Sequence, residues 1–375
     1  MRFYLSNQDN PVNKNHTLWN QPLPVSRQAG PPSDDGLSTM VLTYGEYFSA
    51  VETFINTCPE YFSNLNEPSP DNVSVFLEKH GAFYHPSRIT VSMGSRMDEV
   101  VLNVAFSKTG RQYLENEYDV LKTLGKKYAY PFLPKVYACR EIGVDTSRTV
   151  SMFMGEWFSA YHEFHVSDLS KDNSRYIRVW DPVDKRIFIS TNQGRSVYEQ
   201  AAMILTACYD IETFEQITSW HHAAGDFVVN LGVPDAPRVK LVTVRRYAPL
   251  LEAVDNTAEA ILNGLLLFLL NLSIHMRLDR LDGVDDICWI DDLVIEGTLT
   301  GFFQGLELQL KGSLIPEGLS DYFKLFLTEM AAEDLLDLFV SIANRMPPGS
   351  PDFRVIQPHL EGHADAFFRG IQTLK

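Results

Sequence analysis

Residues 220–230 read Trp-His-His-Ala-Ala-Gly-Asp-Phe-Val-Val-Asn. The small residues at 223–225 allow the backbone to turn tightly, and the apolar run that follows is typical of a short buried strand. An acid at such a turn, with imidazoles just before it, suits proton transfer, metal binding or the orientation of a hydroxyl group. The stretch therefore predicts a functional site centred on Asp226.

The composition predicts a soluble globular protein and disfavours two classes of partner. The chain has 375 residues, is 45% hydrophobic and 21% charged, and carries a formal net charge of −16. This charge, without any basic run, disfavours nucleic acid and anionic membrane surfaces as partners. The interrupted apolar run at 260–274 is too short to span a bilayer and predicts a buried core helix. Scattered cysteines and a first segment without an apolar stretch favour a cytoplasmic location.

The pattern along the chain predicts an α+β protein of two lobes. Residues 1–38 are rich in Asn, Pro, Ser, Gln and Gly, and predict an N-terminal tail that is extended or disordered. Residues 39–155 predict a small α+β lobe, in which an antiparallel sheet accompanies a helix. Residues 156–375 predict a larger, mainly helical lobe that carries the His/Asp turn.

Hydrophobic periodicity places the elements within these lobes. In the small lobe, strands are predicted at 88–92, 99–106, 135–140 and 149–154, and helices at 40–58 and 110–124. In the larger lobe, the pattern predicts a hairpin at 176–190 and a strand–turn–strand at 227–244. Helices are predicted there at 196–217, 256–276, 298–310, 321–344 and 363–374. The acids between 279 and 292 indicate a solvated loop, and residues 276–280 a buried ion-pair network at a helix end.

This order of elements resembles the protein-kinase-like fold, in particular its aminoglycoside and choline phosphotransferase branch. The resemblance covers roughly residues 85–250. It implies a cleft between the lobes that binds ATP and Mg²⁺, with residues 152–156 as the hinge that holds adenine. The turn at 222–226 is similar to the family's His-Gly-Asp turn. The resemblance thus implies Asp226 and His222 as catalytic residues, Asn230 on the metal side, and Asn103 and Glu117 on the phosphate side.

Three departures from the family's pattern predict weak or absent catalysis. Asn103 stands where the family has its phosphate-binding lysine. The spacing from Asp226 to Asn230 is one residue shorter than in the family, and residues 241–246 lack the metal-binding aspartate. Phosphoryl transfer depends on positioning and on charge neutralisation by Mg²⁺ and a cation. Arg245 is the candidate for supplying charge. The leading hypothesis is therefore a degenerate phosphotransferase-like protein or pseudokinase that binds a nucleotide or small anionic ligand.

Two alternatives stay open from the sequence. A non-catalytic interaction module would keep the fold as a scaffold and bind a protein partner through the aromatic segment at 157–164. A metal-dependent hydrolase would use His162, His165, His222 and Asp226, although their spacing does not match a zincin motif. For each histidine, a packed side chain bonded to the backbone is the simpler interpretation. Substrate and oligomeric state are not predicted.

Overall fold

The computed structural model describes residues 1–6, 10–24, 41–58, 72–81, 83–93, 95–168, 175–181, 187–218, 220, 225–232, 236–251, 257–283 and 286–374. The chain divides into two compact units, Met1–Ser159 and Ala160–Lys375. Both units mix helices and strands, so the predicted α+β class is confirmed.

Unit 1 contains a six-stranded sheet in the order β1-β2-β3-β4-β6-β5. Its strands are β1 (Arg2–Leu5), β2 (Asn72–Leu77), β3 (Ser87–Met93), β4 (Arg96–Ala105), β5 (Val136–Gly143) and β6 (Thr149–Glu156). Neighbouring strands are antiparallel except β1 and β2, which are parallel. Its helices are α1 (Tyr44–Asn56) and α2 (Lys108–Lys127). The four predicted strands and the helix between them form in the predicted order, and β2 is a further strand that the sequence did not predict.

The described part of residues 1–38 belongs to unit 1. β1 forms one edge of the sheet, in register with β2 from Arg2 opposite Ser74. Val12 and Leu23 are buried in the same apolar core as α1. A few apolar side chains in a polar segment are enough to hold it once a sheet edge offers backbone partners. Residues 25–38 lie outside the described residues.

The core of unit 1 fixes which sheet face each side chain of β4 occupies. Val100, Leu102 and Val104 are buried in the cluster that includes α1. Because successive side chains in a strand point to opposite faces, Asn103 lies on the other face. Helix α2 packs against β4, β5 and β6, and the Ser107 hydroxyl accepts a hydrogen bond from the Gly110 amide at its N-terminus.

Unit 2 combines short strand pairs with a helical core. Its strands are β7 (Phe164–Asp168), β8 (Arg175–Val179), β9 (Ile187–Phe188), β10 (Glu215–Thr218), β11 (Phe227–Asn230), β12 (Arg238–Leu241), β13 (Arg246–Pro249), β14 (Leu278–Arg280) and β15 (Ile287–Trp289). Its helices are α3 (Thr191–Ala207), α4 (Ala258–His275), α5 (Leu293–Lys311), α6 (Leu319–Thr328), α7 (Ala332–Ala343), α8 (Pro351–Ile356) and α9 (Leu360–Gln372). The strands pair as β7-β8-β9, β10-β13, β11-β12 and β14-β15.

Helices α3 and α5 pack closely against each other. A Cβ at Gly301 would lie 1.9 Å from the Glu199 carbonyl oxygen, so only glycine permits this approach. The Gln309 side-chain amide donates to the carbonyls of Thr206 and Tyr209 at the C-terminal end of α3. This contact satisfies carbonyls that the helix itself leaves without partners.

The helix predicted at 196–217 is wrong beyond residue 207, where α3 ends. The Asp210 carboxylate accepts hydrogen bonds from the Glu212 and Thr213 amides and stabilises a turn before β10. The single helix predicted at 321–344 is in fact α6 and α7, separated at 329–331. In both places helical periodicity continued across a local break.

By length and composition, helix α4 could cross a membrane, but 56% of the helix is buried inside the protein. Its Phe268 ring stacks on Tyr209, with 4.5 Å between the ring centroids, and lies against Phe302. These contacts agree with the predicted core helix.

Candidate functional site

The hairpin of β11 and β12 positions the predicted site. Phe227 pairs with Leu241, and one step beyond the strand the Val242 amide donates to the Asp226 carbonyl oxygen at 2.8 Å. The chain then runs through Arg245 into β13, which pairs with β10. Asp226 and Arg245, which are 19 positions apart in sequence, are thus brought side by side by this hairpin.

Asp226 is fully buried and is bound by a guanidinium group. Arg245 donates from both terminal nitrogens, with Nη1 2.5 Å from Oδ2 and Nη2 2.6 Å from Oδ1 of Asp226. The side chain of Asp226 is 0% exposed and that of Arg245 is 23% exposed. This fork-to-fork geometry is the strongest form of ion pair in proteins. Both carboxylate oxygens therefore already accept a charged donor.

The turn before Asp226 requires glycine for two reasons. Gly225 has φ +67°, in the left-handed region that favours glycine. A Cβ at this position would also lie 2.5 Å from a carboxylate oxygen of Glu163. Glu163 was not predicted from the sequence as part of the site. Its neighbour His162 exchanges two backbone hydrogen bonds with Val229, which brings the 162–163 segment against β11.

The side chain of Asn230 forms two hydrogen bonds that stabilise the end of the hairpin. Its side-chain nitrogen donates to the Ala160 carbonyl at 2.8 Å, and its side-chain oxygen accepts from the Gly232 amide at 2.8 Å. The amide thus joins the start of unit 2 to the end of β11. The predicted catalytic His222 lies outside the described residues.

The two residues predicted on the phosphate side belong to unit 1. Asn103 is half-buried in β4, opposite Phe153 of β6. Glu117 on α2 is only 2% exposed, and its carboxylate accepts a hydrogen bond from the Tyr84 hydroxyl at 2.6 Å. Glu117 is therefore not the exposed helix acid that glutamate usually is.

The histidines of the hydrolase alternative have other partners. His165 is buried, with Nδ1 3.3 Å from Oδ1 of Asp279, and Nε2 of His162 lies 3.5 Å from Asp181. Over the described ranges, no group of three or more His, Cys, Asp or Glu residues could hold a metal ion. The described part of the chain therefore does not assemble the predicted metal site of a hydrolase.

Asp279 is a buried acid, so for this residue the predicted solvated loop is wrong and the predicted buried network at 276–280 is correct. It is 0% exposed and accepts from the backbone amides of Val166 and Arg280 at 2.8 and 2.7 Å. Burial and, after it, the charge of Asp279 raise the pKa of Cys288 to about 11. No local pattern signals the burial of Asp279, because a strand of three residues is too short to show alternation.

The predicted ion-pair network at residues 276–280 is confirmed for Arg277. This side chain is 4% exposed, donates to the Ile290 carbonyl and to Asp292, and lies over the Trp289 ring. Its Nη1 lies 3.4 Å from Nδ1 of His363. Burial and, secondarily, this arginine hold the pKa of His363 well below its usual value.

Comparisons with known proteins give little further guidance. No family model matches the chain, and no curated protein matches it. Among solved structures, "WaaP in complex with acyl carrier protein" is similar at 12% identity, over 63% of this chain and 82% of that one, with a TM-score of 0.27. A similarity of this size carries no argument about fold or activity, so the functional conclusion depends on the site itself.

Proposed function

We propose that this chain is a degenerate kinase-like protein, which binds a nucleotide or other small anionic ligand and performs little or no phosphoryl transfer. The observation that carries the proposal is the bidentate pair of Asp226 and Arg245. In a phosphotransferase the acid at this position accepts or orients the substrate hydroxyl. An acid whose two oxygens both bind a guanidinium is a poor base, because the neighbouring positive charge favours the ionised form of the carboxylate.

The phosphate side supports the same proposal. Asn103 replaces a lysine and cannot supply positive charge, and the charge of Arg245 is balanced by Asp226. Electrostatic stabilisation of the transferring group is usually the largest contribution to such catalysis. A site with little net positive charge can still hold a ligand through hydrogen bonds, but weakly. Weak binding without transfer is therefore the expected behaviour.

Thermal-shift titration with ATP, run beside a radiolabel transfer assay, tests this function. We expect wild type to be stabilised at millimolar ATP and to transfer no label above background. Asn103→Lys and Asn103→Asp form a matched pair of opposite charge at a half-buried position. Stabilisation by ATP should rank Asn103→Lys above wild type and wild type above Asn103→Asp. An unchanged melting temperature for all three proteins would refute nucleotide binding, and efficient transfer by wild type would refute the degeneracy.

One observation favours a second candidate, a non-catalytic interaction module. Helix α6 exposes 61% of Tyr322 and 63% of Leu325, which lie one turn apart on the same face. The aromatic segment first considered for this role is a poorer candidate, because Phe158 and Phe164 are buried. An interaction module predicts that Leu325→Asp abolishes complementation of a deletion strain, whereas Asp226→Asn does not. The reverse pattern would reject it.

A further inference from the structure

A kinase-like site of the type implied by the resemblance needs divalent metal, and this imposes a definite set of ligands. Mg²⁺ demands near-octahedral coordination by hard oxygen atoms, most of them anionic or water. The protein usually supplies one or two carboxylates, and the nucleotide phosphates complete the shell. The residues around Asp226 can be compared directly with this requirement.

The donor set at Asp226 does not fit a divalent cation. Both of its oxygens accept from Arg245 at hydrogen-bonding distance. The side-chain oxygen of Asn230 accepts from the Gly232 amide and its nitrogen donates to Ala160, so this amide is used in the hairpin. The segment at 241–246, where a second carboxylate would be expected, reads Leu-Val-Thr-Val-Arg-Arg.

The guanidinium of Arg245 lies where a cation would contact the carboxylate. It carries one positive charge, contacts both oxygens at once, and reaches them from within the same hairpin segment. A free cation that bound Asp226 would have to displace this group and leave a partly buried guanidinium without its anion. Breaking such a buried pair lowers the apparent affinity for the cation by roughly two to four orders of magnitude.

We propose that Arg245 permanently replaces a divalent cation at Asp226, so that this site binds its ligand without metal. The statement about the ligand rests on the proposed function, whereas the statement about the cation stands on the ion pair alone. Arg245 is thus a positioning residue that fixes the Asp226 carboxylate and supplies the balancing charge. The site is insensitive to chelators and to Mg²⁺ concentration.

The test uses Mn²⁺ as the probe and full-length protein. Mn²⁺ is titrated into wild type and Asp226→Asn, and free ion is counted by electron paramagnetic resonance. We expect the two proteins to give the same binding curve up to millimolar Mn²⁺. Tighter binding by wild type than by Asp226→Asn, by tenfold or more, would overturn the proposal. Circular dichroism verifies that the variant is folded.

A second measurement on wild type alone removes the dependence on that variant. Fe²⁺ with ascorbate cuts a backbone beside a bound divalent ion, and mass spectrometry locates the cuts. We expect no Fe²⁺-dependent cuts within 225–230 or 241–246, and cuts in either segment would contradict the proposal.

Calorimetric titration with ATP separates this inference from the proposed function. Similar ATP affinities in excess Mg²⁺ and in chelator, within about threefold, support metal-free binding. ATP binding that requires Mg²⁺ and disappears in Asp226→Asn overturns it. If ATP binds under neither condition, nucleotide binding is rejected, and the Mn²⁺ and Fe²⁺ results still decide whether Asp226 accepts a cation.

Discussion

Among its described residues, unit 2 buries two aspartates completely, Asp226 and Asp279, and stabilises them in different ways. Asp279 accepts from two backbone amides, of Val166 and Arg280, and lies next to His165. Asp226 instead accepts from the two terminal nitrogens of Arg245. Backbone amides belong to the fold and cannot be removed by a side-chain substitution, whereas a guanidinium can. The first acid is therefore part of the scaffold that joins β7 to β14, and the second forms a side-chain pair whose chemistry one substitution would change.

The largest effect is expected from Arg245→Ala. Removing the guanidinium leaves the Asp226 carboxylate buried without its cation, which should reduce the free energy of unfolding by about 3–5 kcal/mol. Urea denaturation at pH 7 measures this loss.

The matched control replaces both partners with apolar side chains of similar size, as in Arg245→Met with Asp226→Leu. Because the uncompensated charge is then gone, the double variant should recover most of the lost stability. A double variant as unstable as Arg245→Ala would show that the pair is not the source of the effect.

Acidification should cause the next largest loss in the free energy of unfolding. The stabilities of the two aspartate sites are therefore compared at neutral pH. Burial, with His80 as the second cause, lowers the pKa of His85 to about 4. Because the unfolded chain binds this proton near pH 6.5, stability is complete above about pH 6.5 and declines as the pH falls towards 4. His85 alone accounts for about 3 kcal/mol of this loss, and His363 acts in the same direction.

Denaturation midpoints measured between pH 4 and pH 8 test this dependence. Replacing His85 with asparagine should flatten the acid limb relative to its own value at pH 8. A wild-type midpoint that stays constant from pH 7 down to pH 4 would contradict the prediction.

Asp279→Asn should lower the free energy of unfolding by less than Arg245→Ala does. An asparagine oxygen can still accept one of the two backbone amides, but its nitrogen faces the other donor. One buried amide then loses its acceptor, at a cost of about 1–3 kcal/mol. Thermal unfolding measures the cost, and the exposed Asp321→Asn on α6 is the control for removing an acid. Equal losses of stability for Asp279→Asn and Asp321→Asn would contradict the scaffold role of Asp279.

Gly225→Ala tests the turn that precedes Asp226, and its effect should be the smallest. A side chain at φ +67° costs about 1–2 kcal/mol, and the new Cβ would also push against the Glu163 carboxylate. Gly349→Ala shares the strain, at φ +79°, but has open space around its Cβ. We expect the lower melting temperature for Gly225→Ala. A larger loss at Gly349 would show that the contact with Glu163 is unimportant.

The sequence predicted several elements correctly. The strands at 88–106 and 135–154, the helix at 110–124 and the hairpin at 227–244 form where β-branched or apolar runs and helical spacing indicated. Several strands were not predicted, among them β1, the six-residue β2 and the β14–β15 pair. A strand of three or four residues shows too few alternations to be distinguished from a loop, so its formation depends on a partner that lies far away in sequence.

The sequence by itself determined that small residues directly precede Asp226, and that position 103 is not a lysine and residues 241–246 contain no acid. These are properties of residue type and spacing, and both are local. Only the tertiary structure decided that Arg245 binds both oxygens of Asp226 and that Asp279 is buried. Pairing depends on which segments the hairpin and the short strands bring together, and burial depends on the whole packed core.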